Sequence, residues 1–191
     1  FPLLAELTRT KKNIPVILSS GVSTLADIEK ALSFFDNKDS VSLLHCITSY
    51  PAPPEEYNVK LIENLRNIFG INTGLSDHSM HPYLVPVLST VFGATQIEKH
   101  ITLSRQTDGL DDPVALEPDD FSLMVQEVRQ TEKIINEYGS EQGLLKITKK
   151  LNKEFSENTI SKVIGDGIKK LANSEKLNYG RTNRSIHFMN N

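Results

Sequence analysis

The chain has 191 residues, 38% of them hydrophobic, a formal net charge of −3 and a pI near 6.0. That suits one ordinary globular domain and gives no electrostatic footprint for nucleic acid. A single cysteine, Cys46, excludes an intrachain disulfide, and no apolar run approaches the roughly 18–20 residues of a membrane helix.

The opening, Phe1-Pro2-Leu3-Leu4, lacks the basic and apolar regions of a signal peptide, so the expected location is the cytoplasm. It also begins in mid-pattern without Met, and we expect a piece of something longer. Pro15-Val16-Ile17-Leu18-Ser19-Ser20 is a short apolar run ending in small polar residues, as in a strand buried on both faces. Thr24 then caps a helix with Asp27 in its first turn, and Leu25, Ile28, Ala31, Leu32 and Phe35 fall at helical spacing. The unit repeats. Residues 41–46 read as a strand, and Ser49 to Pro54 as a proline-rich loop. Leu61, Ile62, Leu65 and Ile68 mark a helix ended by Gly70. Residues 71–77 form a third strand, 83–92 an apolar helix, and 95–100 a fourth strand. Glu117-Pro118-Asp119-Asp120 opens a long helix. Beyond it, helices are expected around Leu144–Leu151 and Ile160–Leu171, the latter interrupted at Gly165 and Gly167, and an irregular polar end from Asn173 to Asn191. Residues 1–140 hold 11 Lys+Arg against 19 Asp+Glu, and residues 141–191 hold 10 against 5. The basic end reads as a solvated helical face plus a docking segment, with an anionic partner as the alternative.

Strands alternating with helices imply a parallel sheet, either an open doubly wound one or half of a closed barrel. No Gly-rich nucleotide fingerprint follows any strand. In such folds the C-terminal strand ends form the active face, and each strand here ends in polar residues. His78 and His100 end adjacent strands and can point into one cavity, as ligands for a divalent metal or as structural histidines. His45 reads as a packing or outer-sphere histidine. His81 and His187 give weak signals. Asp77 either orients a ligand or caps the following helix. Alternation puts Glu98 and His100 on one side and Lys99 on the other, where it could be a surface pairing residue. The loop Arg105 to Pro113, with Asp108, Asp111 and Asp112, is either a lid with a catalytic carboxylate or a turn-rich connection. Ser19, Ser20, Thr48 and Ser76 supply hydroxyls on the same face, suited to a phosphate.

Several stretches in order resemble the sialic acid synthase family. They are Pro15 to Gly21, Leu44-His45-Cys46 with Ser49-Tyr50-Pro51-Ala52-Pro53, Gly74-Leu75-Ser76-Asp77-His78, Ile97-Glu98-Lys99-His100-Ile101-Thr102-Leu103, Leu116-Glu117-Pro118-Asp119, Ser174-Glu175 and Arg184-Ser185-Ile186. The resemblance implies an α/β fold that is part of a (β/α)₈ barrel, about strands five to eight with their helices. Residues 1–138 would be the half barrel and 139–191 a closing helical and irregular segment. The family's N-terminal strands and its antifreeze-like C-terminal domain are not in this sequence.

The resemblance also implies a reaction: condensation of phosphoenolpyruvate with an N-acyl sugar, N-acetylmannosamine or a related hexose, to a nine-carbon 2-keto acid and phosphate. His78 and His100 would hold the metal, usually Mn²⁺, and act in catalysis with Asp111, which falls where an aspartate faces the sugar. Ser19, Thr48, Tyr50 and Ser76 would contact substrate. The full-length protein would be a homodimer, and the isolated chain inactive. The loop Asp108-Gly109-Leu110-Asp111 departs from the family's Pro-Gly-Pro-Asp, and Ala115 replaces a common serine, which bears on sugar choice. Two other classes remain open: a non-catalytic half-barrel assembly module, and another metal-dependent aldolase-type barrel enzyme.

Overall fold

A computed structural model describes residues 1–10 and 14–182. Arg184-Ser185-Ile186 and His187 lie outside the described residues. Four strands alternate with helices: α1 Pro2–Thr10, β1 Val16–Ser19, α2 Leu25–Leu32, β2 Val41–Cys46, α3 Lys60–Phe69, β3 Asn72–Asp77, α4 Leu84–Val91 and β4 Ile97–Lys99. α5 Pro118–Leu151, α6 Glu157–Ile164 and α7 Asn173–Thr182 follow.

All strands are parallel, in the order β1-β2-β3-β4. Register puts Leu18 beside Leu43, His45 beside Leu75, and Asp77 beside Lys99, so these side chains share one face. The apolar core lies on that face. Ile28, Leu32, Leu61 and Leu65 of α2 and α3 pack on Leu43, and Ile62, Leu84, Leu88, Ile147 and Val163 cluster with Leu75. The opposite face carries Ile17, Ser42, Leu44, Cys46, Gly74, Ser76 and Glu98, none of which belongs to the helix-packed core clusters, although Leu44, Cys46 and Ser76 are buried. A doubly wound sheet needs helices on both faces. One helix-packed face and one inner face make this a parallel, curled half barrel.

Local chemistry accounts for the boundaries. Thr24 and Asp27 form a reciprocal capping box on α2. Gly70 ends α3 in the left-handed conformation. α4 is buried all round, and Ser89 and Thr90 satisfy their hydroxyls on the Pro86 carbonyl. α5 consists of two helical arms meeting at Gly139, whose φ of 77° and ψ of 168° break the helix.

Two expectations change, and α1 is an element the periodicity does not predict. The helix expected over Ile160–Leu171 ends at the first of its two expected interruptions, stopping at Ile164 where Gly165 caps it at a φ of 71°. The segment expected to be irregular from Asn173 begins instead with α7. Between α6 and α7, residues 165–172 form an extended strap. Asn58 Nδ2 donates to Asp166 and to the Ile168 carbonyl, Asn64 Nδ2 to the Gly167 carbonyl, and Lys169 Nζ to the Gly21 carbonyl at 2.7 Å. Beyond it, fully buried Glu175 accepts the Thr48 and Ala172 N–H groups.

Candidate functional site

His78 follows β3 and His100 follows β4, and their rings lie 5.5 Å apart at a tilt of 46°. The His78 backbone N–H donates to the Tyr57 hydroxyl. Its Nδ1 is 2.8 Å from the Ile47 carbonyl. A carbonyl only accepts, so Nδ1 carries the hydrogen and Nε2 the lone pair. Burial holds the His78 pKa below the ordinary histidine value, the Ile47 carbonyl opposing. The ring is therefore kept neutral, the form that binds metals.

Tyr50 stacks on His78 at 4.1 Å and meets His100 edge-on at 5.8 Å. Burial raises the Tyr50 pKa, with Cys46, Asp111 and Glu98 adding to it, so its hydroxyl stays protonated. Ser76 Oγ lies 3.4 Å from His78 Nε2 and donates to Glu98 Oε1 at 2.7 Å. Asp111 Oδ2 is 3.7 Å from His100 Nδ1. The loop between them is anchored at its base. Leu116 N–H donates to the His100 carbonyl and Thr102 N–H to the Leu116 carbonyl, while Arg105 Nε donates to the Ala115 carbonyl and its guanidinium pairs with Asp120 at 3.0 Å. The Arg105–Pro113 segment is thus a structured connection that carries Asp111 to His100.

His78, His100, Tyr50, Ser76 and Asp111 are thereby brought together. Thr48 lies beside Cys46: burial pushes the Cys46 thiol pKa up to about 11, and the hydroxyls of Thr48 and Ser76 oppose it. Ser19 closes β1 on the same face, opposite Leu44 in the register. Ser20 does not share that face. It is buried, its hydroxyl without a hydrogen-bond partner among the described residues, and lines a cavity of about 130 Å³ with Leu18, Ile28 and Leu43.

Asp77 is not the helix cap. The N-cap position of α4 is Tyr83, and His81 Nδ1 accepts the Tyr83 and Leu84 N–H groups instead. Asp77 pairs with Lys99 at 2.8 Å, both side chains essentially buried, so Lys99 is not a surface residue. His45 packs on the helix face against Tyr57. Sequence reasoning missed Glu98 as a member of the site, although strand alternation had placed it beside His100. It also missed Tyr57, which comes from a loop with no periodic signal.

The donor set fits a divalent metal in part. Two imidazoles on one face, that of His78 held neutral by burial, suit Mn²⁺, Fe²⁺, Zn²⁺ or Co²⁺. Among the described residues no group of three His, Cys, Asp or Glu forms a complete cage.

A parallel half barrel with imidazoles, carboxylates and hydroxyls gathered at its C-terminal strand ends has the build of a barrel-enzyme domain. The chain belongs to the NeuB family, whose profile matches residues 1–140, and the resemblance to sialic acid synthases read from the motifs is borne out. It is 31% identical over 189 residues to the N,N'-diacetyllegionaminic acid synthase of Campylobacter jejuni, covering 97% of this chain and 47% of that protein. The crystal structure of spore coat polysaccharide biosynthesis protein SpsE from Bacillus subtilis superposes with a TM-score of 0.70 at 30% identity, covering 93% of this chain and 46% of that one. The N-acetylneuraminic acid synthetase of Leptospira borgpetersenii, solved with citrate, gives a TM-score of 0.62 at 28% identity, covering 96% and 53%. The chain thus spans about half the length of these relatives. No helix among the described residues is long and apolar enough to cross a membrane.

Proposed function

We propose that this chain is the second half, strands five to eight with their helices, of a (β/α)₈ synthase barrel. Residues 1–138 would form the half barrel and 139–191 its closing segment. The whole protein, a homodimer in this reading, condenses phosphoenolpyruvate with an N-acyl sugar to a sialic-acid-type 2-keto acid and phosphate. The observation that carries the reading is the convergence of His78, His100, Tyr50, Ser76 and Asp111 at neighbouring strand ends in a NeuB-family chain.

His78 and His100 would hold the metal, Mn²⁺ in this reading, which when bound supplies Lewis acidity toward the sugar aldehyde. The remaining chemistry belongs to the chain. Ser19, Thr48 and Ser76 offer hydroxyls to the phosphate and carboxylate of phosphoenolpyruvate. Tyr50, neutral and stacked on His78, shields the imidazole from water and presents a hydroxyl to substrate. Asp111 and Glu98 are the carboxylates at hand, Asp111 toward the sugar and Glu98 oriented by Ser76. In the reaction, carbon 3 of phosphoenolpyruvate bonds to the aldehyde carbon, water adds at carbon 2, and phosphate leaves by C–O cleavage.

The test is Mn²⁺ binding and turnover of phosphoenolpyruvate with N-acetylmannosamine, in the protein that carries this chain and in a His78→Ala, His100→Ala double variant. The variant is expected to lose both metal and turnover. Unchanged affinity and activity would sink the assignment. A 2-keto acid formed from pyruvate, with no phosphoenolpyruvate consumed, would point to an aldolase, and a stable oligomer without turnover to an assembly module.

A further inference from the structure

We propose that Lys99 is a positioning residue that sets the spacing of the His78–His100 pair, by clamping the chain on both sides of His78 from the position next to His100. The inference rests on reading the two imidazoles as metal ligands. Lys99 ends β4 and immediately precedes His100. Strand alternation turns its side chain to the covered face, away from Glu98 and His100. There it lies opposite Asp77 in the register. Its ammonium donates to Asp77 Oδ2 at 2.8 Å and to the Ser79 carbonyl. Asp77 precedes His78 and Ser79 follows it, so one cation grips both neighbours of the first imidazole.

The grip is closed on the other side. Asp77 Oδ1 accepts the Ser79 N–H at 2.8 Å, making a tight turn around His78. The Tyr57 hydroxyl accepts the His78 N–H. The backbone is thereby held before, at and after His78, while the Ile47 carbonyl fixes the ring.

The energetics favour positioning over stability as the purpose. The Lys99 and Asp77 side chains are 1% and 0% exposed. Against an apolar pair of similar size, a buried ion pair is neutral or even unfavourable, because desolvation offsets its attraction. An apolar pair would fill the same space between β3 and β4. It would not direct bonds to a carboxylate and a carbonyl on either side of one residue. Metal coordination tolerates only about 0.2 Å of misplacement, so direction is what two ligands on separate strands need.

The experiment is calorimetric titration of Mn²⁺ into the protein that carries this chain, as wild type, Lys99→Met, Lys99→Arg, His100→Ala, and Lys99→Arg with His100→Ala. His100→Ala is expected to weaken Mn²⁺ binding. Lys99→Met and Lys99→Arg are expected to weaken it roughly 10–100-fold, the usual cost of removing a residue that orients a ligand, with near-ultraviolet circular dichroism unchanged. Arginine keeps the charge but its planar fork does not reproduce the ammonium's two bonds, so it decides the matter where methionine prevents folding. In the His100→Ala background, Lys99→Arg should cause no further loss, since no pair remains to be spaced. Wild-type affinity in a folded Lys99 variant, or equal losses in both backgrounds, would overturn the clamp while leaving the metal site standing. Unchanged binding in His100→Ala would overturn the metal reading and the clamp with it.

Discussion

His45 sits on the covered face with its Nε2–H donated to the Tyr57 carbonyl, and its Nδ1 is buried without a partner among the described residues. Burial pushes its pKa down to about 4 from 6.5. An unfolded chain takes up this proton as pH falls through 6.5, and the folded one does so only near 4. The contribution to stability is therefore full above pH 6.5 and declines between 6.5 and 4, by about 3 kcal/mol in total. Urea unfolding at pH 7 and 4.5 should show the loss, and His45→Gln should flatten it. Identical pH slopes in the two proteins would show that other groups govern the acid limb. The charged pair behaves differently. Asp77→Ala would strand the Lys99 ammonium in the interior, and a cost of about 3–5 kcal/mol is expected in the same unfolding assay. At this scale the sequence was informative where a residue type is rare at its position. Two histidines at adjacent strand ends were visible; Tyr57 was not, because its role depends on a loop folding back beneath β3. Lys99 looked like a surface residue because no sequence rule reveals that a helix layer covers its side of β4.

Elements with strong local signals were legible nearly to the residue. The Thr24 capping box and the Gly70 terminus both stand where composition places them. Thr24→Ala should cost about 1 kcal/mol, seen as a fall in Tm of roughly 2–4 °C. No change would mean that α2 is held by its packing alone. β3 is a sharper case. Gly74 lies between Leu44 and Gln96, and an added methyl would meet the Gln96 carbonyl at 2.4 Å and the Leu44 side chain at 2.7 Å. The bare glycine also lets Gln96 Nε2 reach Ser42 Oγ, two strands away, at 3.3 Å. Gly74→Ala should destabilise by about 1–3 kcal/mol, and wild-type stability in urea would show that the β3–β4 ladder can spread without penalty. The less legible elements were those made by tertiary contact. Asn173 to Thr182 is too polar to display a helical face. The strap over residues 165–172 is ordered by Asn58, by Asn64 of α3 and by its own Lys169 reaching Gly21, contacts that periodicity cannot register.

For the whole molecule, alternation established a parallel sheet but left its closure open, and the packing of α2 to α6 on one face decides for a half barrel. That geometry leaves β1 and β4 as edges among the described residues, with Ile17 55% exposed on the other face. Exposed apolar edges recruit further strands. The 191-residue chain on its own should therefore self-associate with rising concentration in analytical ultracentrifugation, and Ile17→Lys should shift it toward monomer. A wild-type monomer at every concentration would mean that this face is protected.

The Glu175 carboxylate imposes an order on synthesis. It accepts the amide hydrogen of Thr48, 127 residues upstream. At roughly 5–20 residues per second, a ribosome needs about 6–25 s between making the two. During that interval the sheet core can form, while the turn that presents Thr48 and Tyr50 lacks its last anchor. A nascent chain halted before Glu175 would thus hold a packed core beside an unanchored turn, and the last region to mature would be the one that carries Thr48 and Tyr50.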